Sequence, residues 1–599
     1  GVTVQYDYEG TADGIAVLVD GQEVDGAVLE SVGDRVTVTA GEDEEVTAVG
    51  YKGSPDNRET EDVVGGEFAR SDTTGGSDPT VVSGGTGSSE GNTGTNTVSG
   101  SVAINPDISG ATVELVDNTG SVLKTTTTDS NGEYSFDVED TSNKSVSITV
   151  EGFTDDALSH PLYASAKQDV GESNTVDFNF QNEYQATVDG STVLVSNDIS
   201  ETGTNTISTI EQLQALEGKS GSYELVSDID ASGTENWNNG QGFESIFIFS
   251  GTLDGNGYDI QNLHIDRDIN TGLFSNLADN VTIKSVNLTN ADIKGTESVG
   301  GIAGNISGGT VNITDTSVSG SIEGDQQVGG IVGQVGSSTT TVENVSTSGT
   351  ISGGQYVGGL VGVINDPNTS VSKSYNSATI TAESIAGGIV GQNNDSVIDN
   401  VYNTGSTEIT TGQTVGGIAG VNDTGTIQNS YNEASVTGNS SVGGIVGNNE
   451  GTVSNSYNTG LISGSNNLIG GITGINNNTI SNSYNTGEID SPSALSVGGI
   501  TGQHSGTTLT EVYSEGSVEG NRKVGGVAGV SEEPISLAYS TGSVTGSDIV
   551  GGLIGEQGRE PISNSYATGS VTATSGSTVG GVAGMSDEAY TNVYWDTSS

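Results

Sequence analysis

The sequence predicts an all-β chain: small β-sandwich-like domains followed by a long right-handed parallel β-helix with repeats of about 28 residues. Three observations carry this prediction. A Gly-Gly-hydrophobic-x-Gly motif recurs with its first Gly at 300, 329, 358, 387, 416, 443, 470, 498, 525, 551 and 580, at spacings of 26 to 29 residues. Between these pairs lie short strand-like pieces separated by Gly, Asn and Thr, with no helical period. Upstream, apolar and polar residues alternate with period two, broken by Gly and Asp turns.

Residues 1–74, with runs such as VTVQYDY, GIAVLVDG and DRVTVTAG, read as a small antiparallel β domain. Residues 75–97 are rich in Gly, Ser and Thr and read as a flexible linker, because that composition cannot bury a core. Alternation returns over 98–181. The strand Gly110 to Leu115, the turn and strand from Thr127 to Phe136, and the strand Ile148 to Phe153 resemble the carboxypeptidase regulatory-like, transthyretin-type β-sandwich. That resemblance implies a spacer module without catalytic residues. Asp129 and Asn131-Gly132 supply hairpin chemistry, and Tyr134 and Phe136 share one face. Residues 182–205 read as a connecting segment, and 206–599 as the β-helix, its regular repeats starting near 295.

The period decides the geometry of that last region. No piece is long enough to build its own sheet, so each pairs with its copy one coil up, at about 4.8 Å per coil. Eleven to fourteen coils then give a rod of roughly 55–65 Å. The Gly pairs are expected at corners, where positive φ and close backbone approach favour Gly. A second marker follows from the third copy onward: Tyr375, Tyr402, Tyr431, Tyr457, Tyr484, Tyr513, Tyr539, Tyr566 and Tyr594, in sequences such as NSYNTG. These tyrosines are expected to stack as a ladder, and so are the asparagines, each amide bonding the copies above and below. The Tyr ladder reads either as simple packing or as a sugar-stacking strip. Ser208-Thr209 before Ile210 to Leu216 predicts a short capped helix covering the N-terminal end of the rod, where an open strand edge invites aggregation.

The paired markers from about Thr206 onward resemble the GLUG-motif family of surface repeat proteins. That resemblance implies an exported, adhesin-like or cell-surface protein, and one group within the family sets the repeats beside a metallopeptidase domain. The His-Glu-x-x-His signature of such a peptidase does not occur in these 599 residues.

Charge narrows the function further. The chain holds 77 Asp and Glu against 15 Lys and Arg, a net charge of −62, with no Cys. Such a field repels nucleic acid and anionic lipid. The missing Cys excludes disulfides, thiol catalysis and cysteine-based metal centres. No apolar run is long enough to span a bilayer. So many carboxylates with so little lysine suit a surface built for very high salt, pointing to a haloarchaeal source. The start at Gly1 suggests a trimmed, exported product. The end at NVYWDTSS, one strand past the last Gly pair, suggests that the chain continues or that a partner covers it.

Candidate chemistry is sparse. β-Helix lyases and glycosidases need carboxylates, or carboxylates with Lys or Arg, gathered in one groove. The basic residues of the rod are few: Lys219, Arg267, Lys284, Lys294, Lys373, Arg522, Lys523 and Arg559. The densest cluster, His264-Ile265-Asp266-Arg267-Asp268, reads as an ion pair at a turn, with Asp266 the first carboxylate to test for glycosidase activity. Asp228, Asp230 and Asp254 are candidate calcium ligands, though such sites need six to eight oxygens and these acids also form turns. His160, His264 and His504 lie far apart, so no Ser-His-Asp set is expected. Candidate glycosylation sites are Asn143, Asn280, Asn287, Asn305, Asn312, Asn344, Asn368, Asn394, Asn422, Asn439 and Asn477. The chain is therefore expected to be a non-enzymatic, structural and adhesive surface protein, partnering itself or a cell-surface glycan. A virus tail fibre or spike is the alternative, and a glycan-cleaving enzyme a third reading.

Overall fold

A computed structural model describes the backbone of six strands before residue 61. It also describes residues 96–599 apart from 104–107, 118–120, 139, 155–157, 159, 171–173, 181–183, 198–204, 410–412, 576–577, 587 and 597–599. The chain divides into two compact units, Gly1–Gly94 and Thr95–Ser599. In the first, Val2–Gln5 pairs antiparallel with Arg35–Val38, and a four-stranded antiparallel sheet contains Gly14–Val19, Gln22–Leu29, Val46–Lys52 and Glu59–Thr60. The expected linker lies outside the described residues, except that Asn96 opens a strand of the second unit.

The second unit starts as a sandwich. A three-stranded sheet of Asn96–Ala103, Glu133–Val138 and Phe178–Asn179 faces a six-stranded sheet that contains Thr112–Asp117, Lys144–Phe153 and Leu162–Asp169. Alternation puts Val98, Val102, Tyr134 and Phe136 of the first sheet against Val113, Leu115, Ile148 and Leu162 of the second, all buried in one cluster. The segment expected only to connect does more. Tyr184–Val188 and Ser191–Asn197 form a hairpin in the six-stranded sheet, with Leu194 in parallel register with Leu162. That pairing spans some thirty residues of chain, and local patterning cannot report it.

From Asn205 the chain winds into parallel coils. One coil shows the rule. Tyr356–Gly358 lies on the first face, and the corner Gly358-Gly359-Leu360 leads to Val361–Ile364 on the second. Ser370–Ser372, Tyr375–Asn376 and Thr379–Ala382 then form the third face, before Ile385–Gly387 restarts the cycle one layer up. The first face is an 11-stranded sheet and the second a 12-stranded one. Inside, Val357, Leu360, Val361, Ile364, Val371 and Ile380 of this coil are all 0% exposed. Burying one such side chain contributes about 1.5–3 kcal/mol, so every layer adds its own stabilisation.

The Gly pairs sit at corners for only one of the two expected reasons. None of the pair glycines has positive φ. What they supply is space: a Cβ on Gly359 would lie 2.0 Å from the Gly388 carbonyl oxygen and 2.6 Å from Asn376 Cγ. Positive φ belongs instead to a column on the third face, running Lys373, Asn400, Asn429, Asn455, Asn482, Glu511, Leu537, Asn564 and Asn592, with φ of 47–55°. This is the residue two before each tyrosine, and Asn recurs there because its short amide tolerates the left-handed region best among non-glycines.

Helix α1 (Ile210–Gln214) caps the N-terminal end. Thr209 is its N-cap, and Gln212 completes a capping box. The Gln212 side chain also donates to Ser165 Oγ at 3.0 Å, and Ala215 packs with Val188, Val193 and Val195, so the sandwich is seated on the capped end of the rod. No helix among the described residues is long and apolar enough to cross a membrane.

Candidate functional site

The third face carries the features most unlike ordinary surface. Parallel in-register pairing places Tyr375, Tyr402, Tyr431, Tyr457, Tyr484, Tyr513, Tyr539 and Tyr566 one above another. Their rings stack with centroids 4.7–5.1 Å apart and interplanar angles of 1–6°. Tyr594, in register with Tyr566, is 68% exposed, and no ring contact to it is seen among the described residues. Each interior ring has both faces covered by its neighbours, so a sugar could stack only at the two ends. The geometry therefore favours the packing reading over a sugar-stacking strip. The edges and hydroxyls remain partly open to solvent. Partial burial, then neighbouring phenols and carboxylates, push Tyr457 and Tyr513 above the ordinary phenol value.

Beneath the tyrosines runs an amide ladder. Asn376, Asn403, Asn432, Asn458 and Asn485 are each 0% exposed, and each Nδ2 but the last donates to the next Oδ1 at 2.7–2.9 Å. Several Nδ2 groups also donate to a local carbonyl, as Asn432 does to Ala434 at 2.8 Å, which satisfies both protons. Thr347 donates into the first rung at 2.8 Å.

A second ladder of Asn393, Asn422, Asn449 and Asn476 lies at the end of the second face, with steps of 2.8–2.9 Å. Sequence reasoning did not separate it from the first, although its signal is legible: Asn ends the strands VGQN, AGVN, VGNN and TGIN. The next rung is His504, whose Nδ1 accepts from Asn476 at 3.0 Å. His504 is 0% exposed, and its Nε2 lies buried with it. Burial pushes the imidazole down to about 4, and the Pro534 carbonyl acts in the opposite direction.

Of the acids singled out in the sequence, Asp230 and Asp254 brace local turns and Asp228 ties one coil to the next. Asp228 accepts from the Asp259 amide at 2.9 Å and Asp230 from the Ser232 amide at 3.0 Å. The Ser232 backbone bond, then Asn262, holds Asp230 below the usual carboxylate value. Asp254 accepts from the Asn256 amide at 2.9 Å and pairs with Lys284 at 2.6 Å. No group of three or more His, Asp or Glu able to hold a metal occurs among the described residues.

The expected ion pair at a turn around Asp266 takes another form. His264–Asp266 is a strand, His264 Nδ1 meets Asp292 of the next coil at 3.0 Å, and Arg267 donates to the carbonyls of Phe243 and Gly242. Lys373 with Glu343, Arg522 with Asp548 and Lys523 with Glu556 likewise tie one coil to the next.

Among the sequons, Asn143, Asn280, Asn344, Asn368 and Asn477 are exposed, while Asn287, Asn305, Asn312, Asn394 and Asn439 are half-buried. Asn422 is an internal rung, so its amide is out of reach of a glycan in this fold. His160 is half-buried in the sandwich and gathers no partners with the other two histidines.

Two likenesses to known proteins are found at the level of sequence. The family described as M26 IgA1-specific metallo-endopeptidase N-terminal region matches residues 122–320, the stretch from sandwich to first coils. Halomucin of Haloquadratum walsbyi is 40% identical over 125 residues, which cover 18% of this chain and 1% of halomucin. The chain thus spans a very small part of that relative.

Two solved structures are similar at low identity. A candidate immunoglobulin A1 protease from Bacteroides ovatus is 20% identical, covering 44% of this chain and 79% of that one with a TM-score of 0.29. An IgA1 protease is 17% identical, covering 70% of this chain and 29% of that one with a TM-score of 0.28.

Proposed function

We propose that this chain is a structural segment of an exported surface protein of a halophile: a stiff β-solenoid held on sandwich modules, acting in attachment or assembly and not in catalysis. The observation that carries the reading is the unbroken interior, in which apolar side chains and two amide ladders link coil to coil. Stacked layers of this kind resist bending and present one repeated surface over a long distance. The net charge of −62 and the likeness to a segment of halomucin support the halophilic, surface part of the reading. The exposed sequons Asn280, Asn344, Asn368 and Asn477 are proposed as glycan acceptors on that surface.

The match over residues 122–320 favours a second reading, in which the same rod is the non-catalytic N-terminal scaffold of an exported peptidase-like protein. Electron microscopy with light scattering in multimolar salt tests the first. Uniform rods, alone or joined end to end, support it. Compact trimers would replace it with a receptor-binding spike, and glycan cleavage abolished by Asp266→Asn would replace it with an enzyme.

A further inference from the structure

The tyrosine stack has a reactivity that packing alone does not require. We propose that it is a site of oxidative modification, where neighbouring tyrosines couple into dityrosine bridges that staple consecutive coils covalently. Three observations converge. Eight rings stand in one continuous column at 4.7–5.1 Å, so every interior phenol has two partners already in contact. The planes are parallel within 6°, and because the strands are in register each ring turns its face to the next. The ring edges reach solvent, with Tyr375 38% and Tyr566 42% exposed, so a small oxidant has access.

The chemistry follows from that geometry. Two phenols each give one electron to the oxidant and one proton to water, leaving two phenoxyl radicals. Coupling begins through the π faces: an ortho carbon of one ring bonds to an ortho carbon of the next, and both become tetrahedral. A face-to-face stack is the arrangement that brings those carbons together. The ring hydrogens on the two carbons then move to the oxygens, which restores both phenols and leaves a carbon–carbon bridge. The net loss per bridge is two electrons and two protons, and a peroxide accepts the electrons. The rings must swing to bring the new bond into both planes, and the half-open third face leaves room for it. Fixing the partners in contact replaces a chance encounter with an intramolecular step.

The experiment oxidises the whole chain in multimolar salt with persulfate and a visible-light ruthenium sensitiser, and compares it with the urea-unfolded chain. The folded protein is expected to gain dityrosine fluorescence while remaining one chain on a denaturing gel. Peptide mapping should link ladder neighbours such as Tyr431 with Tyr457, each bridge lighter by two hydrogens. A variant carrying Tyr402→Phe, Tyr457→Phe, Tyr513→Phe and Tyr566→Phe keeps a stack but separates the remaining phenols by two coils, about 10 Å. Its yield should fall to that of the unfolded chain. Bridges mainly between chains, bridges outside the column, or equal yield in folded wild type and variant would each overturn the proposal. The wild-type peptide map decides the matter even if the variant does not fold.

Discussion

His504 shows what a single rung does. It stands where four coils in succession place Asn, and the imidazole accepts from Asn476 through Nδ1 while Nε2 lies buried. Its folded value of about 4 lies below the ordinary 6.5 because burial disfavours the charged ring. In acid the unfolded chain therefore takes up a proton that the folded one refuses. The stabilising neutral form is fully present above pH 6.5, and its contribution is lost as pH falls toward 4, by roughly 3 kcal/mol in all. His504→Asn should remove that dependence while restoring the amide rung. Urea denaturation of both proteins between pH 7 and about 4 measures the gap, and parallel curves would refute the assignment. Much of this scale was readable beforehand: the tyrosine column and the Tyr-Asn ladder follow from the repeat alone. The left-handed residue two before each tyrosine was not recognised, since Lys373, Glu511 and Leu537 break the Asn pattern there.

At the scale of an element, the corner after each first-face strand is the most tightly specified part of a coil. Gly359 lies under the Asn376 side chain and against the next coil's Gly388, so a methyl group has no direction in which to give way. Gly308, in a turn with nothing within 4 Å of its Cβ position, is the matching control. Gly359→Ala should cost about 3 kcal/mol or more, as overpacking against immovable backbone does, and Gly308→Ala should stay within about 0.5 kcal/mol. Thermal melts of the two variants check this, and equal behaviour would show that the pair glycines are not set by space. Sequence periodicity located these corners correctly and gave half the reason, because spacing reports which residue turns the chain but not the torsion it adopts. The hairpin 184–197 was legible and overlooked, because Asp189-Gly190 between two alternating runs is local turn chemistry; only its parallel pairing with Leu162–Asp169 is too distant in sequence to read.

For the molecule as a whole, the interior is ordinary and the surface is not. The core of the rod is mostly Val, Ile, Leu and Ala, with Tyr223, Phe243, Phe249 and Phe274 in its first coils, while 77 acidic side chains against 15 basic ones repel one another unless salt intervenes. The Lys373–Glu343 and Arg522–Asp548 pairs between coils are exposed, where water and salt screen them, so they do not offset that repulsion. Melting temperature should therefore rise steadily from about 0.1 M salt, where charges about 10 Å apart still interact, into the multimolar range. Circular dichroism melts across a chloride series measure it, and a melting point indifferent to salt would contradict the halophilic reading. Composition alone carries this prediction, because charge balance is independent of how the chain folds.

The amide ladders carry one more consequence. At every step the N-terminal rung donates and the C-terminal rung accepts, from Asn376 to Asn485 and again from Asn393 to Asn476. Turning one amide over would set NH2 against NH2 on one side and oxygen against oxygen on the other. No rung can reverse alone, so each column behaves as a single switch with one setting. The rod is thereby a vector, with a head and a tail written into its interior where no surface mutation can erase them.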